Sequence, residues 1–269
     1  MLIKESYTDI KTSYGTTMRV FLYHPVIPGY PHAKFPGVVV YSEIYQVTGP
    51  VSRFAKQIAG QGYIVAAPSS YHNYLGPEPL AYDTEGTDKG NLYKIEKPIE
   101  SYDEDNKLTV DYLISLPTSN GRIGATGMCL GGHLAFRAAF DDRVKAAVCF
   151  FPTDIHSATL GKGKNDDSLV KGVNIKGELI LIFGTKDPHV PVQGRSLIRD
   201  TLNNAGVTFS FWEVADAQHA FVRDEFSKGR YDPAVTRLGL DQLFDLFNRA
   251  LRLDLGEGIT LTGDVEDVC

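Results

Sequence analysis

Short runs of β-branched and aromatic residues alternate along this chain with longer segments whose apolar positions recur at helical spacing. That is the rhythm of an α/β protein. Thr16–Tyr23 alternates polar and apolar like an antiparallel strand. Gly37–Tyr41 (Gly-Val-Val-Val-Tyr) is an unbroken apolar run, as a strand buried on both faces of a parallel sheet requires. Val51–Gly60 predicts a helix stopped by Gly60-Gln61-Gly62, and Tyr63–Ala67 the strand after it. Ile99–Leu116 places Leu108, Tyr112, Leu113 and Leu116 at helical spacing, with Pro117 beyond its end. Further strands are predicted over Arg122–Thr126, Val144–Phe150, Leu179–Phe183 and Val207–Val214. Further helices are predicted over Gly132–Phe140, Val192–Ala205 and Ala234–Leu251. The expected fold class is therefore α/β, a mostly parallel central sheet with helices on both faces.

Two internal stretches break this rhythm. Residues 69–97 are rich in Tyr, Pro, Gly and charge with weak periodicity, and predict an excursion over a site. Residues 155–176 are polar and read as surface loop, with Asp166 and Asp167 solvated. No repeat or linker divides the chain, so a single domain spanning 1–269 is expected, with residues 253–269 as an acidic C-terminal extension.

Composition narrows the function. The 269 residues carry a formal net charge of -6 and show no run of Lys and Arg, which argues against nucleic acid as a partner. No apolar stretch approaches the ~18 residues of a membrane span. The opening Met1-Leu2-Ile3-Lys4-Glu5-Ser6 lacks a signal-peptide pattern. Cys129, Cys149 and Cys269 are odd in number and widely spaced, which suits a reducing compartment rather than a disulfide framework. A cytoplasmic protein is expected, monomeric or homodimeric. No His/Asp/Glu cluster has metal-ligand spacing in sequence, so neither metal nor cofactor is expected.

The chemistry is announced by Gly127-Met128-Cys129-Leu130-Gly131, where a predicted strand hands over to a helix. A nucleophile elbow needs a sharp turn, and Gly on either side spares a collision between side chain and neighbouring backbone. Such a turn sets the sulfur at a helix N-terminus, whose positive end favours thiolate. It also leaves the Leu130 N–H for an oxyanion. Cys149, inside an apolar strand, reads as core, and Cys269 as a terminal residue without a role. The chain order nucleophile, acid, base then selects two partners. His219, in Ala217-Gln218-His219-Ala220-Phe221, lies beyond the last predicted strand. Asp187, in Gly184-Thr185-Lys186-Asp187-Pro188, leaves the end of Leu179–Phe183 and would fix the imidazole tautomer. Asp216 lies so close to His219 in sequence that it reads as a loop residue.

With Cys129, Asp187 and His219 assembled, the chain resembles the dienelactone hydrolase (carboxymethylenebutenolidase) family over roughly residues 20–250. Four stretches carry the likeness: Ser42-Glu43-Ile44, the elbow continued to Gly132, the Asp187 loop, and His219-Ala220-Phe221-Val222-Arg223. The resemblance implies an α/β-hydrolase fold and a cofactor-free enzyme acting on a small-molecule ester or lactone. It implies that Glu43 contacts the resting thiol and is displaced when substrate binds. Burial that disfavours the charged carboxylate is what would let Glu43 take a thiol proton. It further implies that the Ile44 backbone gives the second oxyanion N–H and that Arg223 grips a substrate carboxylate. The family's second substrate-binding Arg has no counterpart in 69–97. That segment offers Tyr71 and Tyr74 as substrate-binding candidates, with His72, Lys89 and Lys94 as further polar groups. Attack by Cys129 would give a thioester acyl-enzyme. A biosynthetic thioesterase or acyltransferase is the second reading, and a non-catalytic ligand-binding relative the third.

Overall fold

In the computed structural model, which describes residues 1–253, one eight-stranded sheet organises the chain. In chain order the elements are β1 (Leu2–Lys11), β2 (Thr17–Val26), β3 (Phe35–Tyr41), α1 (Gly49–Gly60), β4 (Ile64–Pro68), α2 (Thr84–Glu96) and α3 (Ile99–Ser115). They continue with β5 (Ser119–Met128), α4 (Leu130–Ala138), β6 (Val144–Phe150), α5 (Ser168–Gly172), β7 (Glu178–Gly184), α6 (Val192–Asn204), β8 (Phe209–Val214) and α7 (Pro233–Phe247). A π-helical turn, Asn248–Arg252, follows α7.

The strand order is β1-β2-β4-β3-β5-β6-β7-β8. The β1–β2 and β2–β4 pairs are antiparallel, and every pair from β4 to β8 is parallel. This is the α/β-hydrolase fold. The parallel strands β3, β4 and β7 are apolar almost throughout because helices cover both faces. Two core clusters result, one on each side of the sheet. One gathers Val39, Ala125, Leu134 and Leu181, and the other Val38, Phe54, Val148 and Leu246. At the edge, β1 is almost wholly exposed. It lacks an apolar face of its own, which is why periodicity gave no strand there.

Two expectations need correcting. Residues 69–97 hold a helix, α2, whose only buried positions are Gly86 and Gly90. Because it packs through glycines rather than an apolar stripe, hydropathy does not reveal it. Its N-terminus is set by Asp83, whose side chain accepts the Gly86 N–H at 2.7 Å. Residues 155–176 include the short helix α5, and Asp166 is buried rather than solvated. It accepts from the buried Arg137 of α4 at 2.8 Å and lies 3.3 Å from His133. Asp167, also on Arg137 at 2.8 Å, stays partly exposed. The 155–176 segment thus clamps the helix that carries the elbow. The acidic extension from Asp254 and Cys269 lie outside the described residues.

Candidate active site

The elbow forms where β5 ends and α4 begins. Cys129 sits between them at φ 60°, ψ -122°, a conformation that costs a side-chain-bearing residue energy and is kept only where neighbours over-determine it. The neighbours here are explicit. The Cys129 N–H donates to the Phe150 carbonyl at 3.0 Å, and its own carbonyl accepts from His133 N–H at 3.2 Å. A Cβ on Gly127 would strike the Gly131 carbonyl, and one on Gly131 would strike the Tyr41 carbonyl at the end of β3. Both glycines are therefore required by close backbone approach. The sulfur-bearing residue is partly exposed at the N-terminus of α4, a helix buried along its whole length.

His219 and Asp187 come from the loops after β8 and β7. His219 Nδ1 lies 2.7 Å from Asp187 Oδ2, and Asp187 Oδ1 accepts the His189 N–H at 2.8 Å. Asp187 and His219 are both buried. Burial opposes the His219 charge, but the Cys129 sulfur and the Asp187 carboxylate outweigh it and push the imidazolium up from 6.5 to about 10. The ring is wedged between Phe151 (4.9 Å, edge-on) and His189 (4.4 Å). Asp216 points elsewhere and pairs with Lys186 at 2.8 Å in solvent.

A cleft of about 270 Å³ opens over Cys129 and His219. Glu43 and Ile44 line it from the turn after β3. None of the described turn, loop or cap hydrogen bonds uses the N–H of Ile44 or Leu130. Glu43 is 2% exposed and contacts Arg223, with Nη1 at 3.4 Å from Oε1 and 3.5 Å from Oε2. The Tyr82 hydroxyl donates to Glu43 at 3.2 Å, and the Arg223 guanidinium packs over the Tyr82 ring at 4.6 Å. Arg223 Nε is buried without a hydrogen-bond partner. The guanidinium therefore has donor capacity to spare, facing a loosely held carboxylate.

Tyr71 and Tyr74 do not line the cleft. Tyr71 is fully buried and its hydroxyl donates to the Gly90 carbonyl at 2.9 Å. Gly90 in turn abuts Ile44, so Tyr71 braces the wall behind the Glu43–Ile44 turn. Tyr74 stacks on Tyr93 at 5.0 Å on the outside of α2. Sequence reasoning missed Tyr82, Asp154, His189, Phe226, Lys228 and Arg230, all of which line the cleft. Tyr82 could have been flagged by its place just before the Asp83 helix cap. The 224–232 loop could have been flagged by its position between His219 and the Asp232-Pro233 helix start. Lys94 reaches the cleft from α2 and pairs with Asp154 at 3.0 Å. Burial opposes the Asp154 charge, but Lys94 and neighbouring donors outweigh it and hold the carboxyl at about 2.

Asp187, His189 and His219 place donor atoms within 4.8 Å of one another, a closeness their sequence spacing hid. Both Asp187 oxygens are already engaged by His219 and by the His189 N–H.

Comparison with known proteins identifies the family of the chain. The dienelactone hydrolase family pattern matches residues 18–251. This chain belongs to the dienelactone hydrolase family. A Saccharomyces cerevisiae protein named "Putative carboxymethylenebutenolidase" is 62% identical over the full length of both chains. The "Carboxymethylenebutenolidase" of Pseudomonas putida is 26% identical, over 72% of this chain and 78% of its own. Among solved structures, a Klebsiella pneumoniae "Putative Dienelactone Hydrolase" superposes with a TM-score of 0.77 at 21% identity, covering 93% of this chain and 100% of its own. At that identity the superposition speaks to the fold. Among the described residues no helix of this family member is long and apolar enough to cross a membrane.

Proposed function

We propose that this ester or lactone hydrolase works through Cys129 as nucleophile, His219 as proton carrier and Asp187 as its orienting acid. The reading is carried by one observation: a strained cysteine at a strand-to-helix elbow shares a cleft with a buried histidine held by a carboxylate at 2.7 Å. The Cys129 thiolate adds to the carbonyl carbon, and the carbonyl oxygen becomes an oxyanion facing the Leu130 and Ile44 N–H groups. Collapse expels the alkoxide or enolate, protonated by the His219 imidazolium, and leaves a thioester on Cys129. Neutral His219 then takes a proton from water, whose oxygen attacks the thioester. The acid is released as the thiolate re-forms.

Glu43 and Arg223 gate this sequence. A substrate carboxylate competes for the guanidinium at the bidentate geometry Arg prefers. The Glu43 pair, at 3.4 to 3.5 Å, is long for a charge-assisted bond and yields to it. Glu43 is thereby displaced from Arg223 when substrate binds, in keeping with the displacement that the family resemblance implies. Cys129→Ala should remove turnover of p-nitrophenyl acetate and of dienelactone by a factor of at least about a thousand. Cys129→Ser should leave a small residue of it, and mass spectrometry of quenched wild-type enzyme should show the acyl adduct on Cys129. Undiminished turnover by the Ala variant would end this assignment.

A further inference from the structure

The loop between His219 and α7 carries charge that the reaction above does not use. Residues 224–232 cross the mouth of the cleft and are anchored at both ends. At one end Asp224 and Glu225 accept from the Arg53 guanidinium at 2.7 and 2.8 Å. At the other, the Asp232 N–H donates to the Phe221 carbonyl at 2.9 Å, and its carboxylate caps α7 at 3.0 Å. Between the anchors the backbone is left-handed at Phe226 (φ 52°), Lys228 (φ 54°) and Gly229 (φ 77°). For Phe and Lys that conformation is disfavoured, and it persists where the ends fix the path. Its consequence is that Phe226, Lys228 and Arg230 all line the cleft, Phe226 and Lys228 at its exposed rim.

The charges in the cleft are unequally matched. Of its four cations, Lys94 is paired with Asp154 at 3.0 Å and Arg223 with Glu43 at 3.4 Å. Among the described residues no side-chain acceptor engages Lys228 or Arg230. Two unmatched cations thus sit in one concavity of a chain whose net charge is -6. Low-dielectric walls concentrate such a field on an entering anion. Tyr82 joins their loop to the inner cation, since Arg223 packs on its ring at 4.6 Å and Phe226 stacks on it at 5.8 Å. Exposure rises from buried Arg223 through half-buried Arg230 to exposed Lys228. Positive charge therefore continues from the reaction centre to the rim.

We propose that Lys228 and Arg230 are specificity-determining residues that hold a second anionic group of the substrate, beyond the one Arg223 reads. The substrates are then esters or lactones of polycarboxylic acids that keep two free carboxylates. This rests on the hydrolase reading above, and the test separates the two.

Three p-nitrophenyl esters, of acetate, glutarate and tricarballylate, keep zero, one and two free carboxylates. Wild type should show kcat/KM rising at each step. In Lys228→Ala/Arg230→Ala the ratio of the two-charge to the one-charge ester should fall about tenfold, through KM, as expected for the loss of charge-assisted hydrogen bonds. In Arg223→Ala the one-to-zero ratio should fall instead. Arg230→Lys should restore part of the lost ratio, and added salt should weaken it in wild type. A two-to-one ratio that the double substitution leaves unchanged overturns the proposal. Calorimetric titration of the Cys129→Ala protein with tricarballylate and glutarate reads the same preference without turnover. Tricarballylate should bind more tightly, and the added Lys228→Ala/Arg230→Ala change should abolish the difference. Equal binding of the two acids also overturns the proposal. Failure to hydrolyse any ester would instead overturn the nucleophile assignment and leave the binding comparison standing.

Discussion

Replacing Arg223 with Met tests the pair on which gating depends. Glu43 and Arg223 are 2% and 6% exposed, and their nearest charged atoms are 3.4 Å apart. Two unit charges at that distance attract by about 5 kcal/mol at an effective dielectric near ~20. Desolvation of both groups offsets much of this, so the net coupling should be only about 1–3 kcal/mol. Truncating Arg223 alone is worse than losing the pair, because Glu43 stays buried with just the Tyr82 hydroxyl at 3.2 Å. We expect a loss of about 3 kcal/mol, at the lower end for a broken buried pair because the contact is long. For a chain of this size that lowers Tm by about 6–12 °C. The assay is equilibrium denaturation of wild type, Arg223→Met, Glu43→Gln and the double variant. The double variant should be more stable than Arg223→Met, since no uncompensated charge remains. A single variant within about 0.5 kcal/mol of wild type, or a cycle with no coupling, would refute the reasoning. Glu43 would then be held by something other than Arg223, and a substrate carboxylate could not release it by competition.

Other expectations follow from the same contacts. His219 is raised from 6.5 to about 10, so its imidazolium stabilises the folded state fully below about pH 6.5, and that contribution is lost as pH rises through about 10. Activity that needs the imidazolium proton should therefore show an alkaline limb near pH 10. Asp187→Asn should move that limb to lower pH and cut kcat by several orders of magnitude, because the amide no longer fixes the Nδ1–H tautomer. An unmoved limb in the pH–rate profile would count against the role given to Asp187. Asp166→Ala should cost about 3 kcal/mol in denaturation experiments, since it strips a carboxylate from buried Arg137. Asp167→Ala, at a 39% exposed side chain, should cost about 0–1 kcal/mol. Equal losses would show that the buried member has no special part in holding α4.

The residues proposed as the triad stand out in the chain because each carries a local signal. Gly127 and Gly131 bracket Cys129 at the change from strand to helix period, and Asp187 and His219 each follow an apolar strand run. Such signals survive in one dimension because the backbone period and the turn chemistry are local properties. Helix α2 escaped because its contacts run through Gly86 and Gly90, which add nothing to a hydropathy pattern. Asp166 escaped because a polar residue's burial depends on a distant partner, here Arg137, and not on its neighbours.

The sequence by itself determined the class of fold and brought forward Cys129, Asp187 and His219, in that order, as the proposed nucleophile, acid and base. Tertiary structure alone decided what surrounds the proposed nucleophile. It joined Glu43 to Arg223 across 180 positions, drew Tyr71 behind the wall and left Tyr74 outside it. It also turned a strained loop so that Lys228 and Arg230 line the cleft. The physical reason is range. Strand and helix periods are set by neighbours a few residues apart, whereas the matching of buried charges is settled when loops from different strand ends close over one another.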